Sequence, residues 1–148
     1  MQWTSEVNWT GFDFGIFAAM LGSACVAVEL AMRHSGQRAY RLGAMLAVGG
    51  GFLMTWANLA VGIIGNEDNP QNLVFFGILL AGLIGALTTR CDAAGLARTL
   101  RVIAAVQMLI GLAAWGLGWA FLPVFTAFYV AVWLLAAKLF DQAATAST

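Results

Sequence analysis

The chain has 148 residues, 61% of them hydrophobic and 9% charged, and a mean hydropathy of +0.85. A chain so apolar has too little polar surface to face water, so lipid is its expected solvent and one domain its expected size. Seven bases balance seven acids, which excludes the concentrated basic surface a nucleic-acid partner requires.

Residues 1–13 carry Glu6 and Asp13 and no base, the wrong charge for a signal peptide, so the first apolar run is expected to remain as a helix. The apolar runs predict an all-α polytopic transmembrane bundle of five spans, each near the roughly 20 residues that cross about 30 Å of hydrocarbon. The first covers residues 14–32 and stops at Arg33 and His34. The second covers 42–64 and the third 73–89, with RCDAAGLARTLR after it as a basic connection. Residues 102–140 are nearly all apolar, and as one helix would be about 58 Å long, too long for a bilayer. GLGWAFLP, with Gly116, Gly118 and Pro123, divides them into spans 102–118 and 124–140. A small polar tail, 141–148, is expected to be mobile.

With the N-terminus outside and the C-terminus inside, Arg33, Arg38, Arg41, Arg90, Arg98, Arg101 and Lys138 all fall on the inner side, as the positive-inside rule asks. Glu6, Asp13, Glu67 and Asp68 fall outside. Trp3, Trp9, Trp115 and Trp119 then lie near the outer interface, where an indole is best solvated.

Between the second and third spans sits a polar knot, NEDNPQN. Asn72 or Asp68 is expected to accept from free N–H groups of the next helix, and Pro70 to occupy a turn or first helical position. Gly43, Ala47 and Gly51 line one face of the second span, and Gly77, Ala81 and Gly85 one face of the third. Small residues let transmembrane backbones approach, so these two spans are expected to pack tightly on each other. The run from Gly49 through Gly51 reads as a close crossing or as a hinge.

Polar residues within the spans form two layers. Glu29, Thr88 and Gln107 lie near the inner boundary, with Cys25 one turn deeper than Glu29. Glu29 either pairs with Arg33 at i+4 or faces the bundle with Gln107 as partner and carries a proton. Thr55, Asn58, Thr126 and Tyr129 lie in the outer third. Asn58 must find hydrogen bonds there, either as a staple between helices or as a wall of a pocket beneath the knot. Asp13, Asn66, Glu67, Asp68 and Asn69 supply oxygens suited to a hard cation such as Ca²⁺, or a solvated face with helix caps. Between the layers, Gly22, Ser23, Gly51, Ala81, Gly82 and Gly111 make a dry midplane without the ionisable groups a transporter of charged solutes places there. One histidine, His34, and two cysteines, Cys25 and Cys91, form no metal or haem pattern, so neither an enzyme nor a cofactor is expected.

The segment WANLAVGIIGNEDNPQNL, with VELAMR and AYRLG before it and AFYVAVWLLAAKLF after, resembles a group of small uncharacterised bacterial inner-membrane proteins that share this helical hairpin. The resemblance covers residues 28–140, and its specific part is 62–72. Gln71 departs from the small residue expected there, and Asp141 with Gln142 from a basic pair. The resemblance implies a multi-pass protein of the bacterial inner membrane and carries no activity. The expected role is a structural or accessory subunit of a membrane complex or a homo-oligomer, with lipid and other subunits as partners. The alternative is a small homo-oligomeric channel or transporter, its path running between subunits along Glu29, Asn58 and Tyr129.

Overall fold

Thr10 opens the first helix through its own side chain. Its hydroxyl accepts from the Asp13 N–H at 3.3 Å while the Asp13 carboxylate accepts from the Thr10 N–H at 2.7 Å, a reciprocal capping box. The computed structural model describes residues 10–66, 68–120 and 122–146, so Trp3, Glu6, Trp9 and Glu67 lie outside the described residues. Those residues form five long helices and no strand. They are α1 (Gly11–His34), α2 (Arg38–Ala60), α3 (Leu73–Thr88), α4 (Ala93–Gly116) and α5 (Pro123–Thr145), with a short 3₁₀ turn, Pro70–Asn72, leading into α3. All five are long and apolar enough to cross a membrane, α3 when counted together with that turn.

α1 and α2 begin three and four residues before the expected 14 and 42, and three further boundaries differ for a clear local reason. α2 ends at Ala60 rather than 64, because Gly62 takes a left-handed φ of 75° and turns Ile63 and Ile64 out of the helix. α4 begins at Ala93 rather than 102: the Asp92 carboxylate caps the Gly95 N–H at 3.1 Å, and most of the supposed connection is helix. α5 continues to Thr145, so most of the expected mobile tail is helical. Ala143 is buried and Asp141 pairs with Arg101 of α4.

The helices do not pack in chain order. α5 lies at the centre with α4 on one side and α2 on the other; α1 packs on α2, and α3 on α4. The order α1, α2, α5, α4, α3 therefore runs round an open ring. α5 supplies eight buried residues, Thr126 through Ala143, whereas α1 supplies none. Tight contacts replace side chains with hydrogen at the crossings. A Cβ on Gly50 would come within 2.8 Å of Val132 Cγ1, and one on Gly43 within 3.3 Å of the Ala136 carbonyl oxygen.

The expected packing of the second span on the third does not occur. α2 and α3 touch only lightly. Gly77 has nothing within 4 Å, Ala81 is exposed, and Gly51 meets only Leu79. Gly85 faces Thr99, and a Cβ on Gly82 would lie 2.9 Å from Ile103, both on α4. The short turn at 89–92 sets α3 beside α4, while α5 takes the Gly43 and Gly50 face of α2. Of the three consecutive glycines, Gly50 makes the close crossing, with α5 rather than α3.

Candidate functional site

The polar knot folds around one side chain. Asn72 is 4% exposed. Its Oδ1 accepts from the Ile63 and Ile64 N–H groups at 3.1 and 2.8 Å, and its Nδ2 donates to the Ile64 and Asn66 carbonyls at 3.3 and 2.7 Å. Two donors and two lone pairs are the full capacity of an amide. Asn58 Nδ2 donates to the Asn72 carbonyl at 3.0 Å, which ties the last turn of α2 to the start of α3. Asn72 thus binds N–H groups of the preceding loop and does not cap the following helix. Asn69 does the capping: its Oδ1 accepts from the Gln71 N–H at 3.0 Å, with Pro70 in the first position. Asn66 contributes its carbonyl, and Asp68 is exposed.

The oxygens expected to gather for a cation are used separately. Asp13 belongs to the α1 capping box and Asn69 to its own cap. Among the described residues no group of three or more His, Cys, Asp or Glu side chains is placed to hold a metal.

A second polar set lies inside the bundle between α2, α4 and α5. Asn58, Gln107, Thr126 and Tyr129 are buried, and Gln107 is 0% exposed. Asn58 Oδ1, both amide atoms of Gln107, Thr126 Oγ1 and Trp133 Nε1 are buried without a hydrogen-bond partner. Thr126 packs against Gly111, whose missing side chain gives it room. Thr126, Tyr129 and Trp133 follow helical spacing along one face of α5. The sequence grouped Asn58, Thr126 and Tyr129 but set Gln107 near the inner boundary with Glu29, whereas Gln107 lies mid-way along α4, and the sequence did not point to Trp133. Its signal was available: an indole mid-span, away from both interfaces, has to be accommodated inside. Glu29 is not part of this set. It sits on the exposed face of α1 with Arg33 Nε 2.8 Å from its Oε1, and the structure does not bring it to Gln107, Asn58 or Tyr129. Cys25 is exposed, and Thr88 bonds back to the Gly85 carbonyl.

The third feature is the space the ring encloses. A crevice of about 700 Å³ is lined by all five helices, from Ala27 and Ala31 of α1 across Ala47 of α2 and Leu83 of α3 to Ile103 of α4 and Trp133 of α5. A smaller hollow of about 360 Å³ shares Ala27, Val48, Gly51, Leu79 and Leu83 with it and continues the space toward Thr55. Polar groups gather at one end of the crevice: Arg33, His34, Tyr40 and Cys91. There the Tyr40 hydroxyl donates to the Cys91 carbonyl at 2.8 Å, and the His34 and Tyr40 rings lie 5.5 Å apart. This end is opposite the knot, under which the sequence had suggested a pocket. No family model, curated protein or solved structure matches the chain.

Proposed function

We propose that the protein is a structural or accessory subunit of a membrane complex or of a homo-oligomer, and that α1 is its docking helix. One contrast supports this reading. Gly43, Gly50, Gly82, Gly85, Gly95 and Gly111 each sit where a Cβ would press a neighbour; single glycines on other helices, Gly49, Gly77 and Gly116, are open, but α1 alone has every one of its glycines, Gly11, Gly15 and Gly22, with nothing within 4 Å. Gly11, Gly15, Ala18 and Gly22 recur at three- and four-residue spacing on one face of a helix that buries none of its 24 residues. Such a face permits close backbone approach, the means by which transmembrane helices associate. Glu29, seven residues beyond Gly22, continues it.

The location we propose is a bacterial inner membrane, with the N-terminus outside. All seven bases belong to the end of the bundle where α1 and α3 finish and α2 and α4 begin, and cytoplasmic connections are the ones enriched in Lys and Arg.

The test is purification from native membrane in mild detergent, wild type beside Gly22→Leu. Wild type is expected as an oligomer or with a stoichiometric companion, and the variant as a lone chain of unchanged helicity and melting temperature. Wild type running alone, or assembly surviving Gly22→Leu, overturns the docking role. A channel or transporter is the second reading, favoured by the buried, unpartnered polar atoms of Asn58, Gln107, Thr126 and Trp133. A reconstituted cation or proton flux that Gln107→Leu abolishes would decide for it.

A further inference from the structure

We propose that the crevice inside the ring binds an acyl chain of an anionic phospholipid, with the headgroup held at the end marked by Arg33 and His34. The shaft and the docking face lie on opposite sides of α1, since Gly22 and Ala31 are nine residues or two and a half helical turns apart, while Arg33, eleven residues from Gly22 and paired with Glu29, stands at the helix end where the two meet.

Length is the first argument. Leaving aside the smaller hollow that continues the space to Thr55, the crevice runs along α2 from Tyr40 to Gly51, eleven steps that rise about 17 Å. That is close to one leaflet, half of about 30 Å of hydrocarbon. Polarity runs the same way. Arg33, His34, Tyr40 and Cys91 stand at helix ends, and the body beyond is Ala, Leu, Ile and Val with Gly51, Gly82, Trp133, Phe140 and a single further hydroxyl, Thr99. An apolar shaft with a polar mouth matches an amphiphile lying parallel to the helices, and the matching depth points to a lipid of the adjoining leaflet. The ring opens sideways as well, because α1 and α3 flank the crevice without packing on each other. A chain can therefore enter from the bilayer without passing through water.

A methylene chain, about 4 Å across at van der Waals contact, occupies about 210 Å³ over 17 Å, and the crevice of about 700 Å³ takes one such chain with space for a second.

Charge sets the headgroup. The mouth lies at the end of the bundle that holds seven bases against three acids, Glu29, Asp92 and Asp141. Arg33 uses Nε toward Glu29 and its side chain is 76% exposed, which leaves both Nη groups to donate to phosphate oxygens. Tyr40, bonded across to Cys91, closes the floor beside it.

The experiment uses the whole chain reconstituted in phosphatidylcholine vesicles that contain a trace of lipid spin-labelled on the acyl chain. The label is carried on phosphatidylglycerol in one series and on phosphatidylcholine in the other. Electron spin resonance is expected to show a motionally restricted component, at one or two lipids per protein, stronger for phosphatidylglycerol. Arg33→Gln, on an exposed side chain that leaves folding intact, should lower that preference about fivefold, the worth of one surface arginine toward anionic lipid. Ala47→Phe combined with Ala86→Phe should fill the shaft and remove the restricted component. Equal restriction of the two lipids, or a preference that survives Arg33→Gln, overturns the proposal even if the double variant fails to fold. Restriction that persists in a folded double variant overturns it too, and so does a co-purifying polypeptide that this variant releases.

Discussion

Replacing Asn72 tests whether the knot holds the hairpin. Asn72→Leu removes four hydrogen bonds at little change of volume and leaves two N–H groups and two carbonyls without partners. Ile64 is 1% exposed, so its N–H cannot turn to water, and a buried donor left unmade costs about 1–3 kcal/mol. The more accessible groups add about 0.5–1.5 kcal/mol each where they stay unpaired, giving about 3–5 kcal/mol after partial hydration of the loop. At roughly 2–4 °C per kcal/mol the melting temperature should fall by about 10 °C. Asn69→Ala, which removes a single cap, should cost about 1 kcal/mol. The assay is thermal unfolding in mild detergent followed by circular dichroism. An Asn72→Leu variant no less stable than Asn69→Ala would refute the hub role of this side chain.

Two more predictions rest on backbone geometry. α3 ends in a Schellman turn, with Cys91 N–H to the Ala86 carbonyl and Arg90 N–H to that of Leu87, but Arg90 stands at the left-handed position with φ 52°. Arg90→Gly should stabilise by about 0.5–1 kcal/mol, read as a raised melting temperature; α4 ends in the same turn with Gly118 at φ 70°, where Gly118→Arg should cost about 1–2 kcal/mol. On α3, Gly85→Leu should cost about 1–3 kcal/mol by pressing into Thr99, whereas Gly77→Leu, facing open space, should stay within about 0.5 kcal/mol. Equal losses from both would mean that α3 packs elsewhere.

Hydropathy and charge made the helices legible, because runs near twenty apolar residues have few alternatives. The start of α4 was hidden because Arg98 and Arg101 made helix look like connection, while the signal at Asp92, a cap before a run of good helix formers, is short. Asn58 and Asn72 were recognisable as polar groups that need partners, but their direction was not: Asn72 could as well have capped α3, and only the turn at Gly62 sends it back to the loop. Which helix meets which was the least legible. Small-residue faces on α2 and α3 say that something approaches closely without naming it, and Gly43 and Gly85 were claimed by α5 and α4. The crevice follows from that pairing, so no sequence feature announced it.

The place of α5 has a consequence for biogenesis. Synthesis delivers helices in chain order, yet the centre of the bundle is the last of these five to emerge. Until then α2 and α4 each present a face built for α5, and the Gln107 amide on α4 has no shelter from lipid tails. The first four helices thus wait in the membrane as a half-built assembly that the final one completes, and a quality-control protease has its longest opportunity before α5 arrives. Lesions near the C-terminal end of the bundle, at Ala136 or Phe140, should therefore lower the amount of protein in the cell more than equal lesions in α1.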